Sequence, residues 1–178
     1  FGPRPMDFIA CNAPIKPLFD LGVEIEENSE LDLYVSFKQH EGDKRIPEKI
    51  REMESELGDG NKMPEILPKL AQYELTLLDI ADQHKGSCNY VAFANKCWPA
   101  FQTEFGFVPC YVNSRLTAMG IPVACEVDIY GALSEYIGTC ISGETVTLLD
   151  INNNVPNEMY ENEIAGKFDY EQDDTFMG

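Results

Sequence analysis

The chain has 178 residues, of which 44% are hydrophobic and 25% are charged, and these ordinary values exclude a disordered or collagen-like protein. Thirteen Lys and Arg residues stand against 31 Asp and Glu residues, which gives a net charge of −18. A surface this negative repels phosphate backbones and anionic lipid, so it argues against nucleic-acid and membrane-surface binding. The length fits a single domain over residues 1–178, and no stretch approaches the roughly 20 apolar residues that cross a bilayer.

The first 40 residues alternate short apolar runs with helical segments. Gly22 ends a short predicted helix, and Asn28 and Ser29 supply caps for a longer one. The predicted elements are a strand at 8–11, a helix at 15–21, a partly exposed strand at 23–26 and a helix from 30 to about 39. Two βα units are therefore predicted in this part of the chain.

Residues 43–85 are predicted to form two helices. Apolar residues at positions 46, 50, 53 and 57 lie on one stripe of the first helix, and Gly58 follows as its C-terminal cap. A wider apolar band between residues 66 and 81 indicates a second helix that is more deeply buried. Pro68 lies near the start of that helix, where a proline is tolerated.

The region from 89 to 149 is predicted to form the sheet. Its elements are a strand at 89–94, helices at 99–105 and 109–119, a strand at 121–125, a helix at 128–141 and a strand at 145–149. The last three predict a βαβ crossover, whose strands run parallel. We expect an α/β fold with a mainly parallel sheet and helices on both faces, a three-layer αβα arrangement. The acidic tail at 152–178 receives no assigned element.

Six cysteines, at positions 11, 88, 97, 110, 125 and 140, form no CxxC pair and no zinc-ribbon spacing. Most of them lie in apolar runs, so we expect buried, reduced thiols in a cytoplasmic protein rather than disulfides. The two histidines, His40 and His84, lie in polar surroundings, and we expect both to be solvated residues at helix ends. A histidine-rich zinc site and a Ser-His-Asp triad therefore have little support.

Two carboxylates follow predicted parallel strands at their carboxyl ends, where open α/β sheets bind ligands. Glu126 follows the strand at 121–125, and Asp150 follows the strand at 145–149. If these strands are neighbours, about 4.8 Å apart, both side chains reach one point, and an all-oxygen ligand set favours a hard ion, chiefly Mg²⁺ or Mn²⁺. The alternative is that these acids cap the next helix or turn, and Asp128 is well placed as such a cap. Spacing alone leaves both interpretations open.

Several blocks of this sequence resemble the L-fucose/L-arabinose isomerase family. The blocks are GPRPMDF at 2–8, CWPAFQ at 97–102, MGIPVACEVDIYGAL at 119–133 and LLDIN at 148–152. The resemblance implies interconversion of aldoses and ketoses through an ene-diol, with Mn²⁺ or possibly Mg²⁺ as the metal. It also implies that Glu126 and Asp150 are ligands of that metal and act as the acid/base pair.

The resemblance further implies that this chain is the central domain of a longer isomerase, which assembles as a homo-oligomer. The family takes its remaining metal ligand from a histidine of a later domain, and no histidine follows His84 here. We therefore expect the isolated chain to bind Mn²⁺ weakly and to be inactive. The alternative function is a non-catalytic carbohydrate-binding or regulatory α/β domain.

Four further residues are candidates for the binding site. Trp98 and Gln102 follow the strand at 89–94, where an indole can stack on a sugar ring and an amide can bind a hydroxyl. The alternative for Trp98 is packing between a helix and the sheet. Arg4 is a minor candidate for a sugar or interface contact, with a solvated arginine as its alternative. Asp128 is a minor candidate for supporting the metal through Glu126, with a helix cap as its alternative.

Overall fold

A computed structural model of the protein describes residues 1–4, 9–149 and 154–174. The chain divides into two compact units, Phe1–Thr147 and Leu148–Gly178. The larger unit contains the 3-10 helix Ile9–Asn12 and the helices α1 (Lys16–Asp20), α2 (Glu30–Gln39), α3 (Ile46–Leu57), α4 (Leu67–His84), α5 (Cys110–Ala118) and α6 (Ile129–Ser142). Its two strands are β1 (Phe93–Asn95) and β2 (Val123–Cys125), and a π-helix spans Phe101–Phe105. The smaller unit contains α7 (Asn157–Glu163) and a 3-10 turn at Gln172–Asp174.

The helices of the first half follow the local signals in the sequence. The Ser29 hydroxyl accepts from the Asp32 amide at 3.1 Å, and the Asp32 carboxylate accepts from the Ser29 amide at 2.9 Å, which forms a capping box for α2. Gly58 has a φ of 50° directly after α3, where a left-handed residue ends the helix. Met53 of α3 is fully buried. The predicted helices at 15–21, 30–39, 43–58 and 66–81 are therefore confirmed within a few residues.

Helix α4 lies at the centre of the larger unit. Tyr73 is completely buried, and its ring packs edge-on against Phe101, with the ring centroids 5.3 Å apart. Phe101 in turn stacks on Phe105 at 4.3 Å. Because aromatic side chains bury large apolar areas, this cluster is a major part of the core. It joins α4 to the segment that follows β1.

A buried carboxylate ties three helices together. Glu74 of α4 has no solvent exposure, and its Oε2 accepts from Arg115 Nε of α5 at 2.6 Å. Lys49 of α3 approaches its other oxygen, with Nζ 3.2 Å from Oε1. Both cations compensate the buried charge, so the network fixes the relative positions of α3, α4 and α5.

The sheet consists of two parallel strands within the described ranges. Ala94 of β1 aligns with Ala124 of β2, and the π-helix and α5 lie in the connection between the two strands. Asn95 is buried at the end of β1 and donates to the Tyr73 hydroxyl at 2.9 Å, which anchors the sheet on α4. The chain therefore contains a βαβ crossover, although β1 and β2 form it rather than β2 and the segment 145–149.

Three predicted strands are absent from the described residues. Residues 9–12 form a 3-10 helix, residues 23–26 have no regular structure, and residues 145–149 form no strand. A strand forms only where a neighbour satisfies its backbone, and alternation in the sequence does not reveal that neighbour. Val146 instead packs against Gly138 of α6, where an added Cβ would lie 2.9 Å from the valine side chain. The result is a mixed α/β fold with a small sheet, and the three-layer arrangement stays a prediction.

The tail that received no predicted element is partly ordered by its own hydrogen bonds. The Tyr160 hydroxyl donates to the Tyr170 carbonyl at 2.7 Å, and Gln172 Nε2 donates to the Val155 carbonyl at 3.0 Å. These bonds join α7 to the turn that follows it. Among the described helices of both units, none combines the length and the apolar character that a bilayer crossing requires.

Candidate functional site

The two strands end at the same edge of the sheet, and chemically useful side chains follow each of them. Lys96, Cys97 and Trp98 come directly after β1, and Glu126 comes directly after β2. This is the carboxyl edge, where parallel α/β sheets hold their ligands. The structure thus brings together two predicted site residues, Trp98 and Glu126.

The turn after β2 has an unusual backbone. Glu126 has a φ of 56° and Val127 a φ of 53°, in the left-handed region that favours glycine. The Asp128 amide donates to the Cys125 carbonyl at 3.0 Å, which closes the turn. Left-handed residues of this kind cost roughly 1–3 kcal/mol each, and they persist where the surrounding structure holds them. Such strain concentrates at functional sites, and here it determines the position of Glu126.

Only one oxygen of the Glu126 carboxylate has a hydrogen-bond partner among the described residues. Its Oε1 accepts from the indole Nε1 of Trp98 at 3.3 Å. Its Oε2 is buried and has no hydrogen-bond partner among the described residues. A buried polar atom without a partner costs roughly 1–3 kcal/mol, so this oxygen is suited to a cation, a proton or a ligand hydroxyl. The strained turn therefore holds a carboxylate oxygen that is available to a cation, a proton or a ligand hydroxyl.

Trp98 contacts both Glu126 and a neighbouring cation, Lys96. The ammonium of Lys96 lies 5.7 Å from the centroid of the Trp98 ring, within the range of a cation–π interaction. The peptide bond between Trp98 and Pro99 is cis. Gln102 lies in the first turn of the π-helix and is exposed, with its backbone amide donating to the Pro99 carbonyl at 3.1 Å. Sequence reasoning missed Lys96, although a basic residue directly after a buried strand is a signal that could have found it.

The thiols beside this edge hold their protons more tightly than a free cysteine does. Desolvation and the neighbouring Cys97 raise the pKa of the Cys125 thiol to about 11. Desolvation, with Glu126 nearby, raises the pKa of Cys97 as well. Metals bind the thiolate, so either thiol would have to lose its proton before it could bind an ion, whereas a carboxylate is already ionised at neutral pH.

The expectation that the cysteines are buried is wrong, because three of the six are half-buried and three are exposed. Cys110, Cys125 and Cys140 are exposed, because they lie at the start of α5, the end of β2 and the last turn of α6 rather than on core faces. Cys88 and Cys97 are half-buried free thiols.

His40 is less exposed to solvent than the sequence predicts. His40 lies at the end of α2 as expected, but its side chain is only 15% exposed, because the ring bonds the Ser36 carbonyl at 2.8 Å and Asp79 at 2.9 Å. His84 is half-exposed at the end of α4 and bonds Glu26 at 2.8 Å. Neither histidine lies near Glu126 in the sequence, and each is already engaged by a carboxylate.

His40, Asp43 and Asp79 form a cluster that resembles a metal site. The guanidinium of Arg45 lies 2.6 Å from a carboxylate oxygen of Asp43 and 2.6 Å from one of Asp79. Its hydrogen bonds lower the pKa of both carboxyls to about 2. A metal ion here would have to displace a cation that both acids already bind, so the cluster is an ion-pair network that supports the fold.

The remaining predicted site residues have other partners or lie outside the described residues. Asp150 is outside them, and the strand expected to carry it is not formed at 145–149. Asp128 caps α6, because its Oδ1 accepts from the Gly131 amide at 2.8 Å. Arg4 is half-buried, and its Nη1 donates to the Ala13 carbonyl at 2.7 Å. The role of Asp128 in supporting a metal and the role of Arg4 in binding stay predictions.

Comparison with known proteins finds similarity to curated proteins named sulfoquinovose isomerase. The chain is 48% identical to the one from Clostridium sp. (strain MSTE9) over 52 residues, which are 29% of this chain and 12% of that protein. It is 30% identical to the one from Priestia aryabhattai over 122 residues, 66% of this chain and 25% of that protein. It is 28% identical to the one from Alkalicoccus urumqiensis over 138 residues, 76% of this chain and 30% of that protein.

The chain thus spans less than a third of the length of these relatives. No protein-family profile matches it, and no solved structure does. The matches to three bacterial proteins of the same name support a relationship between this chain and sugar isomerases.

Proposed function

We propose that the chain is a fragment of an aldose–ketose isomerase, and that Glu126 belongs to the active site of the full-length protein. The observation that carries this proposal is the buried Oε2 of Glu126, which has no hydrogen-bond partner in the described part of the chain and is held by a strained turn at the carboxyl edge of parallel strands. The similarity to proteins named sulfoquinovose isomerase supports the reaction class. A domain that only bound neutral sugars would not need two carboxylates, Glu126 and Asp150, that converge on one metal ion.

The chemistry of the reaction suits a carboxylate at this position. Isomerisation removes the proton on C2 of the aldose, passes through an ene-diol and returns a proton to C1, while a second proton moves from the C2 hydroxyl to the C1 oxygen. A carboxylate within hydrogen-bond distance of the sugar can accept and return the carbon-bound proton. The indole of Trp98 holds one oxygen of Glu126, which leaves the other oxygen to face the sugar or the ion.

The donors at this edge fit a hard divalent ion such as Mn²⁺ or Mg²⁺. Glu126 supplies an unpartnered carboxylate oxygen, and the nearby thiols of Cys97 and Cys125 have raised pKa values. We propose Glu126 and Asp150 as its ligands, with the remaining ligand from another part of the full-length protein. When bound, the ion would polarise the carbonyl and the adjacent hydroxyl of the sugar as a Lewis acid.

Sugar binding is proposed at the side chains around Trp98. A sugar ring can stack on the indole, and the exposed Gln102 lies one helical turn away as a hydroxyl partner. Sulfoquinovose, the sugar in the names of the relatives, carries an anionic sulfonate. A protein with a net charge of −18 repels anions at long range, so an anionic sugar needs a local cation. Lys96, which lies over Trp98, is the cation we propose for that contact.

The same proposal includes the localisation, the oligomeric state, the alternative substrates and the domain architecture that the family resemblance implies. We propose that the full-length protein is a cytoplasmic homo-oligomer, that L-fucose and L-arabinose are alternative substrates, and that the sheet around β1 and β2 is completed as a three-layer αβα domain. The smallness of the described sheet supports the last point, because two short strands are marginal without further pairing. The isolated chain is proposed to be inactive and to bind Mn²⁺ weakly.

The test is an isomerase assay of the full-length gene product with Mn²⁺ on sulfoquinovose, L-fucose, D-arabinose and L-arabinose. We expect ketose formation from at least one sugar, and a loss of kcat of at least about 100-fold in Glu126→Gln and in Asp150→Asn. The control is Glu144→Gln, an exposed acid after α6. Sugar binding without turnover would instead favour a carbohydrate-binding domain. Full activity of Glu126→Gln would refute the role of that residue.

A further inference from the structure

Asn95, the last residue of β1, is a buried polar residue close to the proposed site. The two other residues of the strand, Phe93 and Ala94, are apolar. The Asn95 side chain is almost completely buried, and its Nδ2 donates to the Tyr73 hydroxyl at 2.9 Å. Its Oδ1 is also buried and has no hydrogen-bond partner among the described residues. A buried amide with one atom unpartnered lowers the stability of the fold, so its presence indicates a role other than stability.

Tyr73 holds this amide from the aromatic core. The tyrosine is completely buried on α4, and its ring packs edge-on against Phe101 with the centroids 5.3 Å apart. Phe107 packs against the same ring at 5.6 Å. Because close-packed neighbours fix the ring, they also fix the position of its hydroxyl. The hydrogen bond therefore ties the end of β1 to the core.

Two routes lead from Asn95 to Glu126. The first is a backbone contact, because the Asn95 carbonyl accepts from the amide of Val127, the second residue of the strained turn, at 3.4 Å. The second follows the chain to Trp98, three residues later, whose indole donates to Glu126 at 3.3 Å. The strand register also places Asn95 opposite Cys125, the residue directly before Glu126. Asn95 therefore adjoins both partners of the contact between Trp98 and Glu126.

On the basis of the function proposed above for Glu126, we propose that Asn95 is a positioning residue for this carboxylate, and that Tyr73 holds Asn95 in place. A left-handed turn persists only where its surroundings hold it, and the Asn95 carbonyl is one of the groups in contact with this turn. Because a misplacement of about 1 Å can cost a large part of the rate, the position of the end of β1 bears directly on kcat. Neither Asn95 nor Tyr73 is proposed to touch the sugar.

A double-mutant cycle in the full-length protein tests this role. Tyr73→Phe removes the hydroxyl, Asn95→Leu replaces the amide by an apolar group of the same branching, and a third variant carries both changes. We expect all three variants to lose the same factor in kcat, about tenfold, with KM changed by less than about twofold, because all three lack the same hydrogen bond. A loss in the double variant near the product of the single losses would overturn the proposal. An unchanged kcat, or a rise in KM alone, would overturn it as well.

The stability of the same variants separates positioning from a purely structural role. Replacing both partners of a buried hydrogen bond by apolar groups of similar shape is nearly neutral or stabilising. The urea midpoint of the double variant should therefore be no lower than that of the wild type. The matched control is Tyr34→Phe, which removes a hydroxyl from a ring that packs against Phe105 of the same aromatic cluster at 5.1 Å and should leave kcat unchanged. A lower midpoint in the double variant, or an equal loss of kcat in the control, would overturn the proposal.

The indole of Trp98 gives a readout that does not depend on the reaction. Trp98 is the only tryptophan in the sequence, so the 178-residue chain has a single indole N–H signal in its proton NMR spectrum. We expect hydrogen exchange of this N–H to be at least about threefold faster in Tyr73→Phe and unchanged in Tyr34→Phe. Equal exchange in Tyr73→Phe and in the wild type would overturn the proposal, even where Glu126→Gln is inactive. Faster exchange in Tyr73→Phe together with full activity of Glu126→Gln would support the positioning and refute only the proposed function.

Discussion

Replacing Glu126 by glycine should stabilise the chain while it removes the proposed function. The residue has a φ of 56°, which costs roughly 1–3 kcal/mol for a non-glycine residue. Its buried, unpartnered oxygen costs roughly 1–3 kcal/mol more. Against these gains stand the bond from Trp98, worth roughly 0.5–1.5 kcal/mol, and the added freedom of glycine in the unfolded chain, worth roughly 0.5–1 kcal/mol. We expect a net gain of about 2 kcal/mol.

The assay is urea unfolding of the 178-residue chain followed by circular dichroism, together with its melting temperature. For a chain of this size, the gain corresponds to a rise in Tm of a few degrees, at about 2–4 °C per kcal/mol. Asp128→Ala is the matched comparison two residues later. It removes the cap of α6 and should destabilise by about 1 kcal/mol. If Glu126→Gly destabilises the chain as much as Asp128→Ala does, Glu126 is a structural residue and the reasoning fails.

Three further predictions concern charges away from the site. Arg115→Met leaves the buried Glu74 with Lys49 as its remaining cation among the described residues. The free energy of unfolding, measured in urea, should fall by about 2–4 kcal/mol. A fall of less than about 1 kcal/mol would contradict the role of these ion pairs in stabilising the fold. Arg45 holds the pKa of Asp79 at about 2, so this ion pair contributes its full stability above pH 3.8, the ordinary pKa, and loses it as the pH falls through 2. In Arg45→Met, the free energy of unfolding should therefore change less between pH 4 and pH 2 than it does in the wild-type chain. An unchanged pH profile would refute this. Acetylation of Phe1 removes the buried ammonium but keeps the N–H, so the acetylated chain should be more stable below pH 8.0 and equal to the free chain above it; a constant difference at every pH would be inconsistent with the lowered pKa.

The helices of this protein could be predicted because their signals are local. Ser29 and Asp32 cap α2 with atoms only three residues apart, and Gly58 ends α3 through its own backbone conformation. The strands were harder to predict, because a strand depends on a neighbour that is distant in the chain. The segments 23–26 and 145–149 have the right composition, yet no partner strand pairs with them in the described residues.

The site could be predicted only in part for a similar reason. Glu126 follows from the rule that ligands bind at the carboxyl ends of parallel strands, and its placement after β2 agrees with that rule. Its contact with Trp98 depends on β1 being the neighbour of β2, which the sequence does not reveal. The left-handed conformation of Glu126 and Val127 was also hidden, because neither residue type favours it.

The central claim is that Glu126 moves a proton on a sugar, and solvent deuterium exchange tests it most directly. The full-length protein with Mn²⁺ is incubated in D₂O with the sugar that it isomerises best, and proton NMR follows the signals at C1 and C2. We predict deuterium incorporation that falls at least about 100-fold in Glu126→Gln, with sugar binding retained. Exchange at the same rate in Glu126→Gln would contradict the claim.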